Sequence, residues 1–343
     1  MLAARIHAPG RMRLEEVADP RCPDTGLLIR VKACGICAAD KKMMLQGHRA
    51  LSYPRILGHE ISGEVAESRH ADFGVGDRVQ VAPGLSCGKC PYCLRGMDNQ
   101  CEKREIFGFT VDGGFAQYLA VPLQGAVQGR ATHLPGNISF PLATLAEPIA
   151  CCLNGFSKMP LYARETVVVL GAGPLGLLNV LIAKAQGTGK LIVSEPRGDR
   201  RAKAHRLGAT RSFDPGQENL HEVVNEESNG KGADVLILAS PLVGLQEGVL
   251  QAMARGGRIS VFSGLPGRWS QPGLDLNLVH YNELMITGAY GCTAAQNAAA
   301  IDFISTAKDR LQELITGNIA LGSLGDMFYK TDSRGMLKTI VEV

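Results

Sequence analysis

The segment TVVVL-GAGPLG-LLNVLIAKA, spanning 166–185, constrains the fold of this 343-residue chain more than any other. The four apolar residues VVVL suit a strand buried on both faces, as in a parallel sheet. Gly171, Gly173 and Gly176 then stand at the spacing of a dinucleotide turn. Gly171 permits the tight bend, Gly173 lets the backbone approach a pyrophosphate, and Gly176 allows the following helix to pack closely. Pro174 and Leu175 stand within this turn, and the helix LLNVLIAKA follows it, with free amides and positive potential at its N-terminus for the phosphates. The next strand, KLIVS, runs into Glu195, nineteen residues past Gly176. A carboxylate there accepts hydrogen bonds from a ribose and repels a 2′-phosphate, so NAD is expected over NADP. Arg197, Arg200 and Arg201 pull the other way, because a guanidinium pairs phosphate well. A membrane span is excluded as a reading of this run: Gly171, Gly173, Pro174, Gly176 and Asn179 interrupt it, and a span needs roughly 20 apolar residues.

Further apolar strands, DVLILAS and RISVF, follow at helix-length intervals, which predicts an α/β unit with a doubly wound parallel sheet over about 146–292. Before it, short segments bounded by Gly, Pro or Asp read as strands at Leu27–Ala33, Ile61–Ala66, Arg78–Ala82 and Phe115–Val121. After it come a helix, AAQNAAAIDFISTAKDRLQELI, and a terminal strand, LKTIVEV, expected to pack back onto the first domain. Residues 1–145 and 293–343 are thus expected to form one β-rich domain. A formal net charge of +3 and 45% hydrophobic residues give no basic surface for nucleic acid and no disordered tail. The ten cysteines show no secreted disulfide pattern, and MLAARIHAPG is no signal peptide, so a reducing cytoplasmic setting is expected.

Two groups of metal-binding residues stand in the first domain. Cys87, Cys90, Cys93 and Cys101 lie in CGKCPYCLRGMDNQC, a spacing that wraps one tetrahedral zinc within a lobe at about 84–104. Four thiolates close such a site, so its role is structural. Cys37 in VKACGICAAD and His59 in ILGHE offer mixed donors instead, with Glu60 or Glu147 as the candidate third ligand. One Cys, one His and a carboxylate leave a coordination position for an alcohol oxygen.

Taken together, GICAAD, GHEISG, GVGDRV, the four-cysteine lobe, DGGFAQY, AEP, GAGPLG and VHYNELMITG resemble the zinc-dependent medium-chain dehydrogenase/reductase superfamily over essentially the whole chain. Within it, the likeness is to the polyol branch of sorbitol, threonine and butanediol dehydrogenases. The resemblance implies a GroES-like catalytic domain, a Rossmann nucleotide domain, two zincs per subunit and NAD. The implied reaction is hydride transfer from a secondary alcohol: a polyol, a sugar alcohol or its phosphate, a diol or a threonine-like substrate. It makes Cys37 and His59 zinc ligands, Glu60 a direct or alternating ligand, and Glu147 a ligand or a partner of the bound water. Asp40 is then the acceptor for the second ring N–H of His59, and Cys34 a packing residue. A homotetramer or homodimer is implied, joined through an edge strand near Leu284–Ala289. Two positions depart from the family pattern: Ala39 replaces the usual Ser or Thr that starts the proton relay, and Lys42 replaces a His. Tyr53, Phe109 and Tyr290 are candidate lining residues, and Arg55 or Lys42 candidate contacts for a substrate phosphate. Ala39 also motivates a competing reading, a catalytically silent zinc and dinucleotide-binding sensor or scaffold. A zinc-free quinone reductase of this fold would lack the metal ligands found here.

Overall fold

The computed structural model describes residues 1–123, 130–241, 247–265, 267–329 and 335–343. The chain divides into two compact units, Met1–Ala150 with Gly291–Val343, and Cys151–Tyr290.

The first unit is built on a seven-stranded sheet whose organising strand is Gly26–Gly35. This strand pairs antiparallel with Glu60–Ser68, Tyr118–Pro122 and the terminal strand Lys338–Glu342. The chain's last residues therefore complete the sheet of its first, with Ile340 opposite Gly35 and Glu342 opposite Ala33. The terminal strand also pairs in parallel with Ile315–Ala320. Ile6, Leu27, Ile29, Ile61, Val79, Phe115, Phe328 and Val341 share one buried cluster. Full burial of each such side chain contributes about 1.5–3 kcal/mol. The strand expected from Phe115 begins at Tyr118 instead. The reason is backbone pairing: Phe115 donates its N–H to Leu57 O and accepts from Ala4 N, which ties it to the small sheet of Leu2–Ala8.

The second unit is a six-stranded, all-parallel sheet in the order Arg211–Phe213, Lys190–Ser194, Thr166–Leu170, Ala233–Leu238, Met253–Val261, Met285–Gly288. Every residue of Thr166–Leu170 is buried, as an apolar strand flanked by two neighbours should be. The strand order reverses beside it, which makes its carboxyl end the switch point where open α/β sheets bind ligands. At the far edge, Met285–Gly288 has one unpaired side, and Met285 is half exposed. Among the described residues no helix is long and apolar enough to cross a membrane.

Candidate metal centres and nucleotide turn

In the first unit, the sheet and one helix bring three donors together. The Gly26–Gly35 strand ends two residues before Cys37, which caps the helix Ala38–Gln46. Asp40, on the first turn of this helix, folds back so that its Oδ2 accepts from Cys37 N at 2.8 Å. Gly58 N points to the other oxygen at 3.4 Å, so one fully buried carboxylate joins the Cys37 and His59 segments. His59 Nδ1 lies 3.4 Å from Asp40 Oδ1. That is longer than a good hydrogen bond but aims this nitrogen at the carboxylate and leaves Nε2 for a metal. Glu60 begins the next strand and is almost wholly buried.

The donor atoms of Cys37, His59 and Glu60 lie within 4.8 Å of one another. The set fits zinc on chemical grounds: a thiol, an imidazole and a carboxylate converge, which are the donor types an open zinc site takes. Glu147, in the first turn of Ala146–Lys158, is buried but falls outside this group. It is nonetheless sensed there. Burial pushes the Glu60 carboxyl above its ordinary value, Lys338 opposes that rise, and the Glu147 carboxylate adds to it. His59 is held well above its ordinary value; burial works against this, and the Asp40 carboxylate outweighs it.

Lys338 is a residue that sequence reasoning missed. It is 4% exposed, and its ammonium contacts both oxygens of Glu60 and donates to Ile36 O at 3.1 Å. The signal was present: one lysine in the otherwise apolar start of the terminal strand LKTIV. Gly35 has a matching requirement, since a Cβ there would overlap Glu60 Oε2. Of the proposed lining residues, Phe109 packs its ring against His59 with centroids 5.3 Å apart, while Tyr53 and Tyr290 are exposed. Arg55 is engaged with Asp112 at 2.9 Å, and Lys42 is exposed on the helix. Cys34 is fully buried in the core cluster.

The four cysteines of the lobe also converge within 4.8 Å, with Cys90 and Cys93 sulfurs 3.5 Å apart. A tetrahedral zinc with bonds of roughly 2.3 Å wants sulfurs about 3.8 Å apart, so the lobe needs little change to close on a metal. Backbone amides, first that of Cys93, hold the Cys90 thiol down to about 6. Burial, reinforced by Cys90 and Cys101, pushes Cys93 up to about 12.

In the second unit the turn after Thr166–Leu170 has the geometry its glycines foretell. Gly171 takes φ 104°, and a Cβ at Gly176 would overlap the Gly171 carbonyl oxygen. Gly173 caps the helix Pro174–Ala185, with Pro174 and Leu175 in its first turn. Glu195 is buried and spans the turn: Oε2 accepts from Ala172 N at 2.8 Å and Oε1 from Arg197 N at 3.0 Å. Arg197 pairs with Asp199, and Arg201 donates to Glu195 O and Pro196 O. Arg200 sits over the turn, with Nη1 4.0 Å from where a Gly173 Cβ would be.

Comparison with known proteins agrees with this anatomy. Residues 23–131 match the alcohol dehydrogenase GroES-like domain, and residues 174–306 match the zinc-binding dehydrogenase family. The chain is 36% identical over 284 residues to an L-threonine 3-dehydrogenase of Pyrococcus furiosus, covering 81% of this chain and 79% of that protein. The chain belongs to the zinc-binding alcohol dehydrogenase family. A sorbitol dehydrogenase of Bacillus subtilis is 30% identical over 332 residues, 95% of this chain and 92% of its own length. A Sinorhizobium meliloti protein described as a zinc-binding dehydrogenase and solved with NADP superposes with a TM-score of 0.91 at 28% identity, covering 100% of this chain and 99% of its own. Membership places this chain among the zinc-type oxidoreductases, in the branch of polyol and threonine dehydrogenases.

Proposed function

We propose that this zinc-type dehydrogenase moves a hydride between a secondary alcohol and NAD, its substrate a polyol, sugar alcohol or sugar-alcohol phosphate, vicinal diol or threonine-like compound. The observation that carries the reading is the convergence of Cys37, His59 and Glu60 on one point, with Asp40 behind His59. A silent sensor has no use for an open set of mixed donors, and no observation favours one.

Cys37, His59 and Glu60 would hold the catalytic zinc, and Cys87, Cys90, Cys93 and Cys101 the structural one. Bound there, zinc acts as a Lewis acid toward an alcohol oxygen, while NAD takes the hydride. The chain's own residues do the rest. Asp40 holds His59 by its Nδ1 and fixes the tautomer that offers Nε2. Cys37 caps the N-terminus of Ala38–Gln46, which fixes its sulfur beside the first turn of that helix. Phe109 lines His59 with an apolar face that keeps water off one side. Ala39 has no group to pass a proton, so the alcohol proton leaves by another route, with Glu147 the buried carboxylate nearest in effect to Glu60.

For the cofactor, Gly171, Gly173 and Gly176 with the first turn of Pro174–Ala185 would take the pyrophosphate, and Glu195 the adenosine ribose. Arg200 over Gly173 is placed to meet a phosphate. NAD is favoured because the buried Glu195 carboxylate stands where a 2′-phosphate would be repelled. Replacing Glu195 with Ala should raise the NADP-to-NAD ratio of kcat/KM by about tenfold. It should also weaken both cofactors, because Ala172 N and Arg197 N lose their acceptor. An unchanged ratio removes Glu195 from cofactor choice. Self-association is proposed through the edge strand Met285–Gly288, on which Met285 and Ile286 are exposed.

The deciding experiment is an initial-rate survey of polyols, polyol phosphates, diols and threonine with NAD and NADP, on enzyme of measured zinc content. Two zincs per chain and a clear alcohol substrate are expected. Zinc-replete protein that binds NADH yet turns over no secondary alcohol would overturn the reading.

A further inference from the structure

Lys338 has no part in the chemistry described so far, yet its position is expensive to maintain. Removing an ammonium from water costs several kcal/mol unless its partners are well placed. Its partners are all in the metal centre. The ammonium touches both oxygens of Glu60 and is anchored by the carbonyl of Ile36, the residue before Cys37. Gly35 closes the other side of the carboxylate, because only a missing Cβ leaves room for Oε2. Lys338 arrives on the terminal strand, where Ile340 lies opposite Gly35. Thus one sheet register brings together the lysine, the glycine and the carboxylate.

This arrangement decides what Glu60 can do. A carboxylate oxygen has two lone pairs, and Lys338 already engages one oxygen as a donor and lies against the other. A metal approaching the same carboxylate must share it with a fixed positive charge. The anchor on Ile36 prevents the ammonium from following the carboxylate toward Cys37 and His59. Ligation by both oxygens of Glu60 would also take the position an alcohol oxygen needs and weaken the metal as a Lewis acid.

We propose that Lys338 is a positioning residue that shares Glu60 with the metal, holding the carboxylate so that it ligates through one oxygen alone and the fourth coordination position stays available to the substrate oxygen. This rests on the assignment of Cys37, His59 and Glu60 as the catalytic zinc holders. In Lys338→Met both oxygens of the carboxylate close on the metal and fill that position. Zinc is then held more tightly while turnover falls, a pairing that a lysine serving only packing would not produce.

The test uses the full-length, zinc-loaded protein and follows zinc loss to a chelator, together with absorption of the cobalt-substituted enzyme. The four-thiolate site is closed, so a spectral change on adding imidazole reports the open centre alone. In the wild type and in Lys338→Arg the cobalt spectrum should respond to imidazole. In Lys338→Met the response should be lost, zinc release from the catalytic centre should slow about tenfold, and kcat should fall by at least about tenfold. In a Glu60→Gln background, Lys338→Met should leave zinc release unchanged, because nothing remains for the lysine to hold back; that pair removes both buried charges and guards against a misfolded single variant. Faster zinc loss in Lys338→Met would overturn the proposal, since Lys338 would then be supporting ligation. So would a wild-type cobalt centre blind to imidazole. A Cys37→Ser enzyme that keeps two zincs would instead overturn the site assignment, whatever Lys338→Met shows.

Discussion

The two candidate metal centres differ in their donors and are built by opposite means. The lobe draws four sulfurs from fifteen consecutive residues, and backbone amides of the same stretch reach them: Cys87 N and Lys103 N both point at Cys101 Sγ, at 3.3 and 3.4 Å. The Cys37 centre draws three unlike donors from two segments, and behind them stand a buried carboxylate on His59 and a buried ammonium on Glu60. A closed site needs only to neutralise and hold a cation, for which local amides suffice. An open site must hold its ligands while leaving one position unfilled, and that takes charged groups supplied by distant parts of the chain. Structural and catalytic roles are therefore separable by substitution.

Cys37→Ser gives the largest expected effect: turnover falls at least about a thousandfold, since the metal and its Lewis acidity go with the thiolate. Zinc drops from two per chain to one, while the circular dichroism spectrum and melting temperature barely move. Cys93→Ser should do the reverse. Losing a structural zinc removes several kcal/mol of stability, about 10 °C or more in melting temperature. Freshly prepared enzyme should keep substantial kcat at low temperature. If both variants lose stability and activity in equal measure, the two centres are not independent.

The contrast also explains what the sequence could disclose. The lobe was readable because its ligands and its turn formers are contiguous. So was the nucleotide turn, where strand, glycines and helix follow one another and Glu195 stands at the end of the next strand. The choice between Glu60 and Glu147 was not readable, because both adjoin suitable motifs, and only the fold puts the Glu60 carboxylate beside Cys37 and His59. Lys338 lay further out of reach, 278 residues from its partner and joined to it by a strand register that periodicity cannot specify. The helix Ala38–Gln46 gave no warning either, since AADKKMMLQ lacks an apolar stripe and forms at the Cys37–Asp40 cap. Phe115 was misplaced for a related reason: its apolar run is a crossing between two sheets, which alternation alone cannot distinguish from a strand.

Gly35 offers a sharper test of the open centre than a ligand change does. An added methyl would fall on Glu60 Oε2 and displace the carboxylate from Lys338 without touching any donor atom of Cys37 or His59. Gly35→Ala should lower kcat by about 10–100-fold, the usual effect of disturbing a residue behind the ligands. Overpacking of this kind costs about 1–3 kcal/mol, well short of the loss expected for Cys93→Ser. Zinc analysis with the four-thiolate site as internal reference distinguishes a displaced ligand from a lost metal. Wild-type kcat in Gly35→Ala would mean that Glu60 has room to move and that its present position does not matter.

The smallest effect expected is at the closed centre, where Asp98 ties the lobe to the helix Ala294–Gln312 by accepting from Ala294 N at 3.1 Å. Burial raises the Asp98 carboxyl above its ordinary value, although the Ala294 amide and Arg130 both favour ionisation. The native protein therefore holds this proton more tightly than the unfolded chain does. The wild type must lose stability as pH rises from the ordinary carboxylate range through the raised native value, and the loss persists above it. The side-chain amide of an Asp98→Asn variant would keep an acceptor for Ala294 N without a charge to desolvate, and Arg130 would keep its hydrogen bonds to Pro122 O and Ser86 O. Asp98→Asn should thus melt about 2 °C above the wild type at neutral pH, with the gap closing below the carboxylate range. Turnover should not change, because nothing at the open centre depends on Asp98. A pH-independent difference would mean that the native and unfolded states bind this proton equally. A fall in kcat would show instead that the lobe reaches the chemistry through the helix it anchors, and the separation of the two centres would fail.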